Sequence, residues 1–217
     1  MTLVWNDPSK KYYESGVSKT ILYVHQGPLT PTDTNIVGVA WEGVTNITES
    51  PTGGEPTRLW ANDREYGQII SPEKMEGKIE GYMWPEEFMP ALGLINLNGL
   101  IIPQQSPSYF SISYKTRIHS DAGGEDVGYM IHFLYNMRVK PFERDNQTLT
   151  DSPEAATFSW DFTCSKVTGV STYNPFSKIT FDSRNPHALD TYVEDIIYDQ
   201  GLILNPYDFF ANYTPAA

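Results

Sequence analysis

The sequence predicts a mainly β fold, an antiparallel β-sandwich or β-barrel with a flanking α-helix. Three observations carry this: period-two alternation of apolar and polar residues in several separate segments, glycine- and proline-rich turns between them, and sustained helical spacing only near the C-terminus. In FSWDFTCS (158–165), Phe158, Trp160, Phe162 and Cys164 alternate with Ser159, Asp161, Thr163 and Ser165. Successive side chains of a strand point to opposite faces, so this segment buries one face and wets the other.

In chain order, KTILYVH (19–25), NIVGVAWEGVTNIT (35–48) and KMEGKIEGY (74–82) show the same alternation. It is strict in SYFSISYKTRIH (108–119), where Phe110, Ile112, Tyr114, Thr116 and Ile118 oppose Ser111, Ser113, Lys115, Arg117 and His119. VGYMIHFLYNMRV (127–139) is apolar on one face and mixed on the other, the pattern of a central strand covered on both sides. Between these two, HSDAGGED (119–126) supplies Gly123 and Gly124 for a tight turn, so the flanking strands should pair antiparallel.

TESPTGGEPTR (48–58) sets Gly53 and Gly54 between Pro51 and Pro56, which lack backbone donors, and reads as a projecting arm. WPEEFMPALG (84–93) predicts a short helix, with Pro85 at the first helical position and Gly93 as the stop. NPHALDTYVEDIIYDQG (185–201) predicts a longer one, capped by Asn185 and Gly201, with Leu189, Tyr192, Val193 and Ile196 on one stripe. No repeat or linker divides the chain, so residues 1–217 read as one domain with a C-terminal extension at 202–217.

Twenty-seven acids against fifteen bases give a net charge of -12, which argues against a surface built to grip phosphates. Beyond Asn185 the chain carries Asp190, Glu194, Asp195, Asp199 and Asp208 and no Lys or Arg. The single cysteine, Cys164, lies on an apolar strand face and has no intramolecular disulfide partner. The greasy run ALGLINLNGLII (91–102) is too short and too polar to span a bilayer, and MTLVWNDPSKK is no signal leader. The expectation is a soluble protein made in a cytoplasm, for which the sequons at Asn46, Asn146 and Asn212 carry no meaning.

Signals for chemistry are sparse. His25, His119, His132 and His187 have no metal-ligand spacing, and His132 reads as a hydrogen-bonded core histidine. No nucleophile elbow, P-loop or dinucleotide fingerprint occurs. Glu76 and Glu80 alternate with Lys74 and Lys78, as on a solvated, salt-bridged face, although with Asp161 they are also the carboxylates a glycosidase would need. Asp121, Glu125 and Asp126 lack the regular ligand order of a calcium loop. The expectation is no catalytic residue, no metal and no cofactor.

The segments GVAWEGVTNITESPTGGEP, KIEGYMWPEEF, GYMIHFLYNMRVKPF, TDSPEAATFSWDF and VEDIIYDQG, in this order, resemble the major tail tube proteins of long, non-contractile-tailed bacteriophages. The similarity runs from about Leu22 to about Gly201. It implies a β-sandwich or β-barrel subunit that forms hexameric rings, stacked into a tube that conducts DNA into the host. The segment with Glu49, Pro51, Gly53, Gly54, Glu55 and Arg58 matches the family's inter-ring loop, and Glu76, Lys78, Glu80 and Asp161 are candidate lumen-facing charges. Implied partners are other copies of the chain, a tape-measure protein, a tail terminator, baseplate or distal tail proteins, and genomic DNA in transit without specific binding. No membrane is implied, and the location would be the virion, after assembly in the host cytoplasm. The chain departs from the pattern in its first twenty residues, in its short tail NPYDFFANYTPAA, and in lacking an appended immunoglobulin-like domain. Two other functions remain open on the residues: a carbohydrate-binding module of a tail tip or baseplate using Trp60 and Tyr66, and a glycosidase using Glu76, Glu80 or Asp161.

Overall fold

The computed structural model describes residue 5 and residues 11–120, 126–142, 155–170, 173–185 and 191–212. The fold is mainly β, a large antiparallel sheet curled into a sandwich with short flanking helices. In chain order the strands are β1 (Tyr12–His25), β2 (Val39–Ala40), β3 (Val44–Glu49), β4 (Pro56–Ala61), β5 (Arg64–Ile70) and β6 (Glu76–Gly81). They continue with β7 (Ile95–Leu97), β8 (Leu100–Ile102), β9 (Tyr109–Ser120), β10 (Asp126–Val139), β11 (Phe158–Cys164) and β12 (Lys178–Asp182). The order across the large sheet is β2-β1-β9-β10-β11-β6-β3, with β12 also pairing β10. Two hairpins lie outside this sheet, β4 with β5 and β7 with β8.

The sheet forks at β10. Its first half pairs β12 from Met130↔Asp182 to Leu134↔Lys178, and its last residues pair β11 from Met137↔Cys164 to Val139↔Phe162. Asn136 sits at the fork with φ +51°, in a register shift against β9. Its side-chain oxygen accepts the backbone N–H of Leu29 at 2.8 Å, which holds the irregular residue in place. The extra residue also swaps the faces of β10, so Ile131, Phe133 and Tyr135 serve one core while Leu134 and Met137 serve the other.

The first core lies inside the curl, where β3 comes back alongside β1. It holds Leu22, Trp41, Ile79, Phe88, Phe110, Ile112, Trp160 and Phe162, all buried. Trp160 is fully buried against Trp41, Trp84 and Phe88 at ring separations of 5.4 to 5.8 Å, and Asp161 is exposed, as the alternation in this segment predicts. The Phe162 ring lies across β6 at Gly77, where a Cβ would meet its tip at 2.6 Å, so only glycine fits. The second core covers the opposite face of the central strands with the C-terminal segment, including Val193, Ile197, Ile203, Leu204 and Phe209. Both faces of the middle of β10 are therefore buried.

Several sequence expectations need correction. NIVGVAWEGVTNIT is not one strand: the chain turns at Trp41–Gly43, and the Trp41 indole N–H donates to the Met83 carbonyl at 2.8 Å. Residues 84–93 make one 3-10 turn, Glu86–Phe88, followed by further turns. Pro85 is its extended N-cap residue rather than its first helical one, and Pro90 has no N–H with which to continue a helix. In the predicted C-terminal helix, α1 (Thr191–Glu194) opens directly into a π-helical turn, Asp195–Asp199, and Gly201 ends it at φ +63°. Pro186 and Leu189 lie outside the described residues, so only the second half of that prediction meets structure. Within the predicted extension, Leu202–Asn212 is part of the fold. Here α2 (Pro206–Asn212) starts with Pro206, and Asn205 caps it by accepting the Tyr207 N–H at 2.9 Å while donating to the Thr30 and Asp33 carbonyls. Gly123, Gly124, Asp121 and Glu125 lie outside the described residues, but β9 and β10 pair antiparallel.

Candidate functional site

The projecting arm is longer than residues 48–58. From the β3–β6 ladder the two chains run on together: Ser50 donates to Glu76, Thr52 bridges Lys74, Gly54 donates to Ser71, and β4 then pairs β5. The turn is Asn62–Asp63, with φ of +51° and +57°, the left-handed pair that a two-residue hairpin needs. Every residue of β4 is exposed, as is every residue of β5 except the half-exposed Gly67, so the arm buries almost nothing in its own subunit. Sequence reading loses the second half because β4 and β5 have no buried face and hence no clean alternation. An Asn-Asp turn between Leu59-Trp60 and Tyr66 is the available signal.

Pro51, Gly53, Gly54 and Glu55 lie in the irregular, exposed neck of this arm. Gly53 holds φ +98°, and a Cβ there would meet the Pro72 carbonyl at 2.7 Å, so the close approach of the two neck strands requires glycine. Arg58 is on β4, 3.9 Å from Glu65, in an exposed pair of little energetic weight. Glu49 does not belong to the arm. It ends β3 half-buried, accepting hydrogen bonds from the Tyr114 hydroxyl on one oxygen and the Lys178 ammonium on the other.

Glu49 is one side of a polar network in a groove of about 430 Å³ at the open end of the curl. On the other side, Glu14 of β1 accepts from the Thr116 hydroxyl and lies 3.0 Å from His132 Nε2. A carboxylate can only accept, so this Nε2 carries the proton, and Nδ1 faces the Thr180 hydroxyl at 3.3 Å. His132 stacks on the Tyr114 ring at 4.7 Å, which joins the two halves of the network. Burial, with the nearby Lys178 charge, holds the His132 pKa below its usual value against the opposing pull of Glu14 and Glu49. Burial first, then the hydrogen bond to Glu49, pushes the Tyr114 pKa up, so this hydroxyl stays a donor. Each carboxylate here is engaged by its neighbours, and what the network does physically is tie β3 and β1, which share no ladder, to β9, β10 and β12.

The four candidate lumen charges do share a face. Glu76, Lys78 and Glu80 project from β6 and Asp161 from the adjacent β11, where it pairs directly with Lys78. With Lys140, Thr48, Ser50 and Thr52 they line a shallow depression on the wet side of the sheet. Lys140 pairs Glu76 at 3.2 Å, Lys78 lies 3.9 Å from Glu80, and Asn46 donates to Glu80 at 3.1 Å. The charges alternate in sign, as on a solvated face.

The remaining polar residues are accounted for locally. His25 contacts the Gly27 carbonyl at 2.6 Å and the Ser111 hydroxyl at 3.0 Å, and His119 contacts the Ser15 hydroxyl at 2.8 Å. His187 lies outside the described residues, and of Asp126 only the backbone is described. Burial, reinforced by Glu49, pushes the Cys164 thiol up to about 12, so it is held protonated. Among the described residues no group of three or more His, Cys, Asp or Glu could hold a metal ion, and no helix is long and apolar enough to cross a membrane.

Sequence reading also misses the β7–β8 hairpin, although its Asn98-Gly99 turn is among the strongest hairpin signals. Here Ile95, Leu97, Leu100 and Ile102 are all exposed. The two hairpins and the polar network at the root of the arm are therefore the features to which a function can be attached. Comparison with protein-family models found no match, and comparison with curated proteins found none either.

Proposed function

We propose that this chain is a structural, self-assembling subunit, the ring-forming protein of a phage tail tube, with the 50–74 arm reaching a neighbouring ring. The observation that carries the reading is the arm itself: an ordered β-hairpin with Trp60, Tyr66, Ile69 and Ile70 exposed and almost nothing buried in its own subunit. Such an element is stable only marginally by itself and gains its apolar contacts elsewhere. On this reading Glu76, Lys78, Glu80 and Asp161 contribute to a wet wall of net negative charge along a lumen, past which DNA slides. The tape-measure, terminator and distal tail proteins are the partners that resemblance supplies, and the virion the location.

The experiment replaces residues 50–74 by a short Gly-Ser turn and spares Met75, which packs on the core and accepts the Cys164 N–H. Loop closure depends only weakly on length, so the subunit should stay folded with near-normal thermal stability while losing long tubes in electron micrographs. Tubes of normal length from the shortened chain would remove the arm from the assembly, and an unfolded product would place it in the core. A second reading, a carbohydrate-binding module, is favoured by the exposure of Trp60 and Tyr66, which stacking on sugars would use. A glycan-dependent rise in the melting temperature, lost in Trp60→Ala, would support it instead.

A further inference from the structure

We infer that the β7–β8 hairpin is a second assembly surface, whose occupant is the β4–β5 hairpin of another copy of this chain. The inference rests on the assembly reading above and adds to it which two surfaces meet. Pairing of Ile95 with Ile102 and Leu97 with Leu100 puts these four side chains on one face of the ribbon. Their exposures run from 37% to 62%, so this face is wholly apolar and uncovered. The opposite face is different: Asn96 donates to Glu86 at 2.6 Å, anchoring the hairpin to the body of its own subunit. That face also carries Ile101, 49% exposed, so the face of Ile95, Leu97, Leu100 and Ile102 is the one that is apolar throughout.

Chemistry narrows the occupant. From 88 to 114 the chain has no Asp, Glu, Lys, Arg or His, although the whole protein carries -12. An uncharged face calls for an uncharged counterpart, and the arm presents one of the same size. Thr57 pairs with Ile69 and Leu59 with Gly67, so these four residues share a face, while Arg58 and Gln68 point to the other side. Leu59 and Ile69 are 40% and 57% exposed. Two twisted ribbons stacked face to face at about 10 Å would cover both surfaces at once. Both are exposed within one subunit, so the contact joins two copies. Because it joins two different patches, it can also repeat head to tail and so propagate into rings or filaments.

The test uses the full chain, Leu97→Lys, Ile69→Glu and an equimolar mixture of the two variants, followed by sedimentation velocity and electron microscopy. Both sites are exposed, so circular dichroism and melting temperature should match the unaltered chain. Each variant alone should need about tenfold more protein, or more, to reach half assembly, because it buries an unpaired charge in an apolar contact. The mixture should recover much of the loss, since each contact between the two variants is either unaltered on both faces or sets the new ammonium against the new carboxylate. Variants that assemble like the unaltered chain would overturn the contact, as would a mixture that assembles no better than either variant. Flotation of the unaltered chain, but not Leu97→Lys, with phosphatidylcholine vesicles would overturn it in favour of a lipid surface. A chain that stays monomeric at every concentration counts against the assembly reading itself, whereas normal assembly of the variants counts only against this pair of surfaces.

Discussion

Trp160 gives the most quantitative check on the fold. Its ring is fully buried among Trp41, Trp84, Phe88 and Phe158, with centroids 5.4 to 6.0 Å away. An aromatic side chain of this kind buries about 150 to 250 Å², worth about 4 to 6 kcal/mol of transfer free energy. The rigid aromatic surroundings collapse only partly around a void, so Trp160→Ala should destabilise by about 3 to 5 kcal/mol. Trp160→Phe should cost far less, about 1 to 2 kcal/mol, for a specific reason. The indole Nε1–H is buried without a partner among the described residues, and phenylalanine removes that penalty along with some of the packing. Urea titration of the unassembled subunit, followed by far-ultraviolet circular dichroism, measures both values. For a domain of this size 1 kcal/mol shifts the melting temperature by about 2 to 4 °C, so the alanine variant should melt roughly 10 °C lower. An alanine cost below about 1 kcal/mol would refute the placement of this face in the core. A phenylalanine cost as large as the alanine cost would refute the account of the indole.

The polar network yields two further predictions. Glu49→Ala should destabilise the subunit by about 1 to 3 kcal/mol, because it leaves the Tyr114 hydroxyl and Lys178 half-buried without their acceptor, and Glu49→Gln should recover part of the loss; equal values for the two would show that the hydrogen bonds contribute nothing. His132 and His25 are both held below the unfolded value of 6.5, so the unfolded chain binds more protons in that range, and stability should fall as pH drops below about 6.5. Around His132 the facing groups are Glu14, Glu49, Tyr114 and Lys178, and His132→Gln should flatten the fall measured by urea titration from pH 7.5 to 5; an unchanged slope would assign it elsewhere.

How far the fold is legible depends on whether a segment has one buried face. FSWDFTCS does, and its alternation locates β11 closely; SYFSISYKTRIH keeps the same alternation and locates β9, although its Ser111 and Ser113 are buried as well, under the second core. β10 is recognisable as central because both of its faces are covered, yet the bulge at Asn136 that hands pairing from β12 to β11 is invisible, since nothing local distinguishes an asparagine at φ +51° from one in regular extended backbone. The arm fails for the opposite reason: β4 and β5 bury neither face, so period two has no physical cause there. Glu49 and Lys178 are far apart in sequence, and their pairing follows from topology alone. His132 reads as a hydrogen-bonded core histidine, and its partners bear that reading out.

The same uncharged stretch, 88–114, places Phe88, Ala91, Phe110 and Ile112 in the core and Ile95, Leu97, Leu100 and Ile102 on the outside. Hydrophobicity alone therefore does not say which residues form the core; whether each packs against the large sheet or lies on the hairpin outside it does. The two groups should also answer to different assays. A charge at Phe110 or Ile112 has no route to water and would unfold the chain, whereas a charge at Leu97 stays solvated in the folded chain. On the proposed assembly, folding and association would draw on separate residues of one segment. That separation would let the chain leave its apolar hairpin faces uncovered at low concentration and cover them only when enough copies are present to share them.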